Sequence, residues 1–367
     1  MFFFDIFALS TYFLDMRLHV FNPEHDLALA FGGERFTAPR AGREMRRWLG
    51  FLPAFWAAEG DLVMVDDVEK AAAASAPWCR YLPSVHFVPS PVNKMKVNFE
   101  RVDRVEVWGW DAAICSQLLK SGVDRRLLPS ESQLSAMRRL SSRQATIGLL
   151  DELVSEVPGT VGWRQVPTSL EEVYVLLGEH RRIVLKAPWS SSGRGVRYVD
   201  GEMTASLEGF VRNTIAMQGC VIVEPFYDRI LDFGVELVAD GEGRTDYAGL
   251  SVFNTVNGAY TGNLLHSEQM KTEMLKTYIN ESLLRETISR LQARLGTLTM
   301  QVYAGPLGID MMIVKAADRY LLHPCVEVNL RRTMGHVALD IMRRTQGDFS
   351  QMRIAYDGKG YFLELRS

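Results

Sequence analysis

The chain has 367 residues, 47% hydrophobic and 23% charged, with a formal net charge of −3. That length exceeds what one hydrophobic core usually holds and points to two or three domains. The charge balance argues against a dedicated nucleic-acid binder, which needs a basic surplus, and four scattered cysteines at 79, 115, 220 and 325 exclude a zinc site and a disulfide scaffold.

A reducing cytoplasm suits such cysteine usage. The opening MFFFDIFALSTYFLD is apolar, but it carries Asp5, has no cationic start and falls short of the ~20 apolar residues of a membrane span. Met16 heads the strand-like RLHVFN, so residues 1–15 read as a mis-assigned or disordered leader and Met16 as the expected start. A polar loop, NPEHD at 22–26, follows that strand. An amphipathic helical pattern then covers 38–60, with Pro39 near its start. DLVMVDD (61–67) and RVEVWGWD (104–111) read as further strands, and AAICSQLLKSG (112–122) as a helix. Strands alternating with helices predict a parallel, Rossmann-like sheet over 16–128. The run 130–154 reads as one helical stretch opened by a Ser130 cap.

From about 160 the pattern changes. RRIVLKAP (181–188) and CVIVEPF (220–226) are short β runs separated by a Ser/Gly loop and a helix, EGFVRNTIAMQ. DFGVELVAD, TDYAGLSVF and NGAYTGNLL follow as antiparallel strands, and a single helix is expected over about 268–295. GPLGIDMMIV and YLLHPCVEVNL flank the turn AADR (316–319). HVALDIMRR then forms a helix, and DGKG (357–360) turns a last hairpin. Without any low-complexity linker, an α/β unit leading into an α+β region predicts lobes packed around one cleft.

Three stretches carry chemistry. In CVEVNLRRTMGHV (325–337), Val326, Val328 and Leu330 alternate with Glu327, Asn329 and Arg331. If AADR makes an even-length turn, Asp310 shares a sheet face with Glu327 and Asn329 and lies opposite or diagonal to Glu327, close enough for two carboxylates to share a cation. A loop one residue longer would turn Asp310 away. Hard oxygen donors of this kind suit Mg²⁺, with Mn²⁺ as the alternative. IVLKAPWSSSGRGV (183–196) ends a strand on Lys186 and enters a loop containing Ser191, Ser192, Gly193 and Gly195; small residues let backbone N–H groups approach phosphate oxygens. VIVEPFYDRILD (221–232) ends a strand at Glu224 and Pro225, where backbone groups can meet an adenine edge, Phe226 its ring, and Asp228 or Asp232 a ribose. Each has a plain alternative: a solvated hairpin, a turn, a strand end.

Taken in that order, these stretches resemble the ATP-grasp superfamily across roughly 130–340, and the unit before them is similar to the Rossmann-like domain such enzymes carry first. The resemblance implies a Rossmann-like α/β pre-ATP-grasp domain (16–128) and an α+β ATP-grasp domain of two lobes, 129–225 with a phosphate lid and 226–367 with a metal-binding hairpin. It implies ATP and Mg²⁺ as cofactors. Lys186 would hold the α/β-phosphates, Ser190–Val196 would form the lid, Glu224 and Phe226 would meet the adenosine, and Asp310, Glu327 and Asn329 would bind the cation. Arg331 would assist catalysis, with Arg332 beside it. Arg143 stands where many members place a second phosphate lysine, and the lid has serines where the commoner pattern is glycine-rich.

The activity implied is a carboxylate-amine ligation through an acylphosphate, on small carboxylic or amino acids, with neither nucleic acid nor membrane as partner. The alternatives are a small-molecule kinase and a non-catalytic ATP-binding module. Asn22, Glu24, His25 and Asp26, in the loop after the first strand, are the candidates for substrate recognition, because ligands bind at the carboxyl edge of open parallel sheets. His25 is a candidate base, although the same residues serve equally well as loop caps. Asn263 is a weaker candidate for a cleft wall, and His336 reads as supporting rather than catalytic.

Overall fold

The computed structural model describes residues 16–90, 99–190, 195–256 and 259–367. The first unit contains β1 (Met16–Val20), α1 (His25–Phe31), α2 (Arg40–Leu49), β2 (Leu62–Val65), α3 (Val68–Ser75), β3 (His86–Pro89), β4 (Val102–Val107) and α4 (Ala112–Lys120). Its four strands pair in parallel in the order β3-β2-β1-β4. β3 has no counterpart among the expected strands; HFVP is short and ends in proline, so it shows no periodicity. The amphipathic run from 38 stops as a helix at Leu49, and a 3-10 turn carrying Pro53 takes over at Leu52–Phe55. Proline in that first turn has no N–H to carry the α-helical ladder on.

The stretch 130–154, expected to be one helix, is two. α5 (Glu131–Leu140) is opened by the Ser130–Gln133 capping box, and α6 (Ile147–Glu156) follows a 3-10 turn at Arg143–Thr146. Ser142 caps that turn through Gln144 N–H and so breaks the run. α7 (Leu170–His180), β5 (Arg182–Lys186), β6 (Val196–Asp200), α8 (Ala205–Gln218) and β7 (Ile222–Pro225) come next. They build a small antiparallel sheet, β6-β5-β7, backed by a core from α7 and α8.

The remaining elements are β8 (Asp228–Ala239), β9 (Thr245–Val256), β10 (Ala259–Leu264), α9 (Glu268–Lys276), α10 (Glu281–Thr299), β11 (Gly305–Ala316), β12 (Arg319–Asn329), α11 (Met334–Thr345), β13 (Gln351–Tyr356) and β14 (Tyr361–Arg366). The helix expected over 268–295 is likewise divided, because Asn280 caps α10 afresh through Ser282 N–H. Seven strands form an antiparallel sheet in the order β12-β11-β8-β9-β10-β13-β14. Its apolar face (Phe233, Val235, Leu237, Leu307, Ile309) packs on α6 and α10. α11 covers part of the opposite face and also joins Phe21, Phe51, Phe55 and Trp108 of the first unit in a shared core.

Beyond β12, the outer strand, the segment Gly159–Val161 runs alongside it: Leu322 N–H donates to Gly159 O and Val161 N–H to Leu322 O. A few residues on, Gln165 pairs with Val223 of β7, so this arm ties the two antiparallel sheets together. No helix among the described residues is long and apolar enough to cross a membrane. The four cysteines are unpaired.

Candidate functional site

The hairpin of β11 and β12 sets Asp310 directly opposite Glu327, and Gly308 opposite Asn329. On the other side of β11, Asp310 faces Gly234 and Gly308 faces Glu236. Directly opposed residues present side chains to one face, so Asp310, Glu327, Asn329 and Glu236 share it. Between Met312↔His323 and Asp310↔Glu327 the register shifts, with Met311 facing the three residues Pro324–Val326. The two extra residues keep the parity of the even turn and move Glu327 from a diagonal position to one directly across from Asp310. Arg164 occupies this irregularity: its Nη2 donates to Cys325 O (2.6 Å) and Val326 O (2.5 Å).

Burial first, then the carboxylates of Glu327 and Glu236, push Asp310 up to about 7. Asn329 Nδ2 donates to Asp310 at 3.3 Å. Among the described residues no group of three or more His, Cys, Asp or Glu is arranged to hold a metal. The hairpin offers two carboxylates and an amide, in a place where crowded negative charge would be relieved by a cation. Such a set fits Mg²⁺, which keeps waters and takes further oxygens from phosphate.

Facing the hairpin is the tip of β5. Lys186 is buried and donates to Glu224 at 2.5 Å; Glu224 also accepts from Arg164 Nε at 2.7 Å. Burial alone would raise Glu224, but Lys186 and Arg164 hold it well below the ordinary carboxylate range. Burial lowers Lys186 despite the Glu224 charge. Arg143 connects the two sides: Nη1 donates to Ala187 O (2.7 Å) and Ser190 Oγ (2.9 Å), and Nη2 to Glu327 (2.8 Å). Its placement depends on the 3-10 turn that interrupts the expected helix.

The first unit closes the site from a third direction. Arg331 grips Asp26 with Nε at 2.9 Å and Nη2 at 2.8 Å. His25 Nδ1 lies 3.0 Å from Asp111, which caps α4 through Ile114 N–H. A narrow cleft is lined by His25, Asp26, Trp189, Ser190, Glu327, Asn329 and Arg331 among others. Gly195 packs against Ser190 of that lining, since a Cβ there would meet Ser190 Cβ at 2.3 Å.

Other expected site residues lie elsewhere. Asn22 is buried, with its amide donating to Gly109 O (2.9 Å) and Asp111 (3.3 Å), so it ties the β1 and β4 loops together. Glu24 accepts from Arg46 at 3.0 Å. Arg332 turns away from the cleft to Asp340 (2.9 Å) and lies over the Trp56 ring. Asn263 is fully buried on β10, accepting from Tyr260. Phe226 packs against Arg182 and Tyr198, at the end of the small sheet away from Lys186. Asp232 pairs with Arg229 at 2.9 Å and sits in register with Met312. Ser191, Ser192 and Gly193 lie outside the described residues, as do the leader 1–15 and Asn257 and Gly258 ahead of Asn263.

Four residues absent from the sequence expectations hold the site together. Arg164 and Asp111 are introduced above. Glu236 accepts from Ser251 (2.7 Å) and Thr333 (2.7 Å) and lies 2.9 Å from His336 Nδ1, which places His336 in a buried support beneath the hairpin. Thr333 caps α11. Glu236 had a visible signal, a carboxylate inside the apolar run DFGVELV; Arg164 had none.

No family model and no curated protein matches the sequence. Solved structures do. N5-carboxyaminoimidazole synthetase from Staphylococcus aureus, complexed with ADP, aligns over 93% of this chain and 83% of its own, at 11% identity and a TM-score of 0.51. A biotin carboxylase–β,γ-ATP complex from Campylobacter jejuni aligns over 96% and 79%, at 13% identity and 0.53. D-alanyl-alanine synthetase A from Vibrio cholerae O1 biovar eltor str. N16961 aligns over 91% and 94%, at 12% identity and 0.50. At these identities the likeness is one of fold alone.

Proposed function

We propose that the protein is an ATP-dependent ligase that joins a small carboxylic or amino acid to an amine through an acylphosphate, in a reducing cytoplasm. The observation that carries the reading is Arg143: one guanidinium bonds both Glu327 on the hairpin and the loop that follows Lys186. A cationic strand tip and a pair of carboxylates thus flank one guanidinium, an arrangement that supports binding of a cation-bound polyphosphate there. The ATP-grasp fold and the ADP and ATP complexes of similar structures support ATP as the nucleotide.

Asp310, Glu327 and Asn329 would hold Mg²⁺, which when bound neutralises charge on the phosphate oxygens. Lys186 and Arg143 supply further positive charge around the transferred phosphoryl group. In the first step a substrate carboxylate oxygen bonds to the γ-phosphorus, the bond to the β-phosphate oxygen breaks, and ADP leaves. In the second the amine nitrogen bonds to the acyl carbon and inorganic phosphate departs. Arg331, held in orientation by Asp26, stabilises the oxyanion that forms there. His25, fixed through Nδ1 by Asp111, accepts the proton the amine loses. The cleft sequesters the acylphosphate from water until the amine arrives.

The experiment is incubation with Mg·ATP and pooled amino acids, hydroxy acids and short peptides, with ADP read by a coupled assay and products by mass spectrometry. ADP with a new amide-linked mass is expected. A phosphorylated product would replace the ligase with a kinase, and ATP binding without turnover across all pools would leave a nucleotide-binding module.

A further inference from the structure

His25 and Arg331 come from opposite ends of the chain, and one loop, residues 108–111 after β4, holds both. Trp108 O accepts from Arg332 N–H at 2.9 Å, which fixes the backbone beside Arg331. Asp111 lies 3.0 Å from His25 Nδ1 and caps α4. Between them, Gly109 is buried against the His25 ring. A Cβ at 109 would lie 2.4 Å from His25 Cδ2, 2.5 Å from Cγ and 2.6 Å from Nε2. Near-equal distances to three consecutive ring atoms place the glycine over the face of the imidazole. Carbon atoms in ordinary contact stay roughly 3.5 to 4 Å apart, so any side chain at 109 displaces the ring or the loop.

The loop is not free to give way. Asn22 grips the Gly109 peptide on both sides: Nδ2 donates to Gly109 O at 2.9 Å, and Oδ1 accepts from Gly109 N–H at 3.3 Å. Asn22 O also accepts from His25 N–H at 3.1 Å, so one residue anchors both the loop and the backbone that carries the ring. The Gly109 backbone lies outside the left-handed region, so alanine suits its conformation and adds only the methyl group. An ionised carboxylate only accepts hydrogen bonds. Beside Asp111, the neutral His25 ring therefore carries its proton on Nδ1 and keeps a lone pair on Nε2. His25 lines the cleft together with Asp26, Ser190 and Arg331.

We propose that Gly109 is a positioning residue: its bare surface, clamped by Asn22, seats the imidazole flat against the loop in the Nδ1–H tautomer, with Nε2 as the basic nitrogen. The inference rests on the ligase reading above, in which His25 takes the proton of the amine. In that step an N–H bond of the amine breaks and an Nε2–H bond forms. A base must stand within hydrogen-bond reach of the proton it takes, and a shift of about 1 Å can cost about 100-fold in rate.

The test compares wild type, Gly109→Ala, His25→Ala and the double variant. The rate is ADP release from Mg·ATP with pooled amino acids, hydroxy acids and short peptides. Gly109→Ala is expected to be slower by roughly 100-fold. In the His25→Ala background, where the ring is gone, the added methyl should cost no further rate. A glycine that merely packs would leave the rate of Gly109→Ala intact, or would add its loss to that of His25→Ala; either result overturns the inference. Nitrogen-15 NMR of the histidine rings reads the seating without turnover. The expected spectrum shows His25 as a single Nδ1–H form in the wild type and loses that preference in Gly109→Ala. An Nε2–H form in the wild type overturns the inference, and this measurement serves if the alanine variant does not fold. A wild type that releases no ADP with any pool removes the ligase reading instead, while the ring tautomer still decides how His25 is seated.

Discussion

Arg331 and Asp26, 305 positions apart in the sequence, meet in a two-pronged ion pair of 2.9 and 2.8 Å that joins the segment after β12 to the first turn of α1. Both side chains are largely shielded, so removing one charge leaves the other poorly compensated. Asp26→Asn is expected to cost about 2 to 3 kcal/mol in urea unfolding at neutral pH. Burial acts to raise Asp26, but the charge and hydrogen bonds of Arg331, with His25 and Arg143 adding to them, leave the folded carboxyl lowered. Its contribution is therefore present above the ordinary carboxylate range, about pH 4, and is lost as pH falls through the depressed folded value. The gap between wild type and variant should close in that acid range; a gap that stays constant down to pH about 2 would contradict the assignment.

Asp310 carries a destabilising charge in the absence of a cation. With Glu327 and Glu236 beside it, Asp310→Asn should melt at a higher temperature than wild type in chelator, by the equivalent of about 1 to 3 kcal/mol at pH 7. Added MgCl₂ should raise the melting temperature of the wild type more than that of the variant. Equal shifts in the two proteins would remove Asp310 from the cation site.

Turnover should depend on both walls of the cleft. Lys186→Ala and Glu327→Ala are each expected to lower kcat by more than ~100-fold, the scale of losing one electrostatic stabiliser. Arg143→Lys keeps the charge but cannot reach Ala187 O, Ser190 and Glu327 together, so a loss of roughly 10- to 100-fold is expected there as well. Wild-type rates in these folded variants would refute the placement of the site.

Gly335 opens α11 against the Glu236 support, and a Cβ there would come within 1.9 Å of Glu236 Oε1 and 2.5 Å of Ser251 Oγ. Gly335→Ala should destabilise the fold by about 3 kcal/mol. Gly178→Ala, in α7 with nothing within 4 Å of the added carbon, should instead stabilise by up to about 1 kcal/mol. Thermal melts of the two variants shifting in the same direction would count against this packing.

Legibility followed the kind of signal each feature leaves. The opposition of Asp310 and Glu327 could be read from strand alternation and an even turn, because parity survives the irregularity at Pro324–Val326. The direct register could not, since the extra residues are held by Arg164 through two of their backbone carbonyls, which are invisible in a side-chain pattern. Helix breaks at Ser142 and Asn280 went unseen because the apolar spacing continues across them while a local cap redirects the backbone. The placement of NPEHD after the first strand was legible, but not that its last two members, His25 and Asp26, already open α1. How its members divide, with Asn22 turned inward and Asp26 outward, depends on contacts with Gly109, Asp111 and Arg331.

The arm at Gly159–Val161 has a consequence for the life of the chain in concentrated solution. Without it, β12 would present a row of unsatisfied amides and carbonyls on the flank of a seven-stranded sheet, a template for docking a foreign strand. By lying along Leu322 the arm blunts that flank there, pairing the outer amide and carbonyl of Leu322 within the chain itself. Solubility and the geometry of the cleft are thereby guarded by the same few residues.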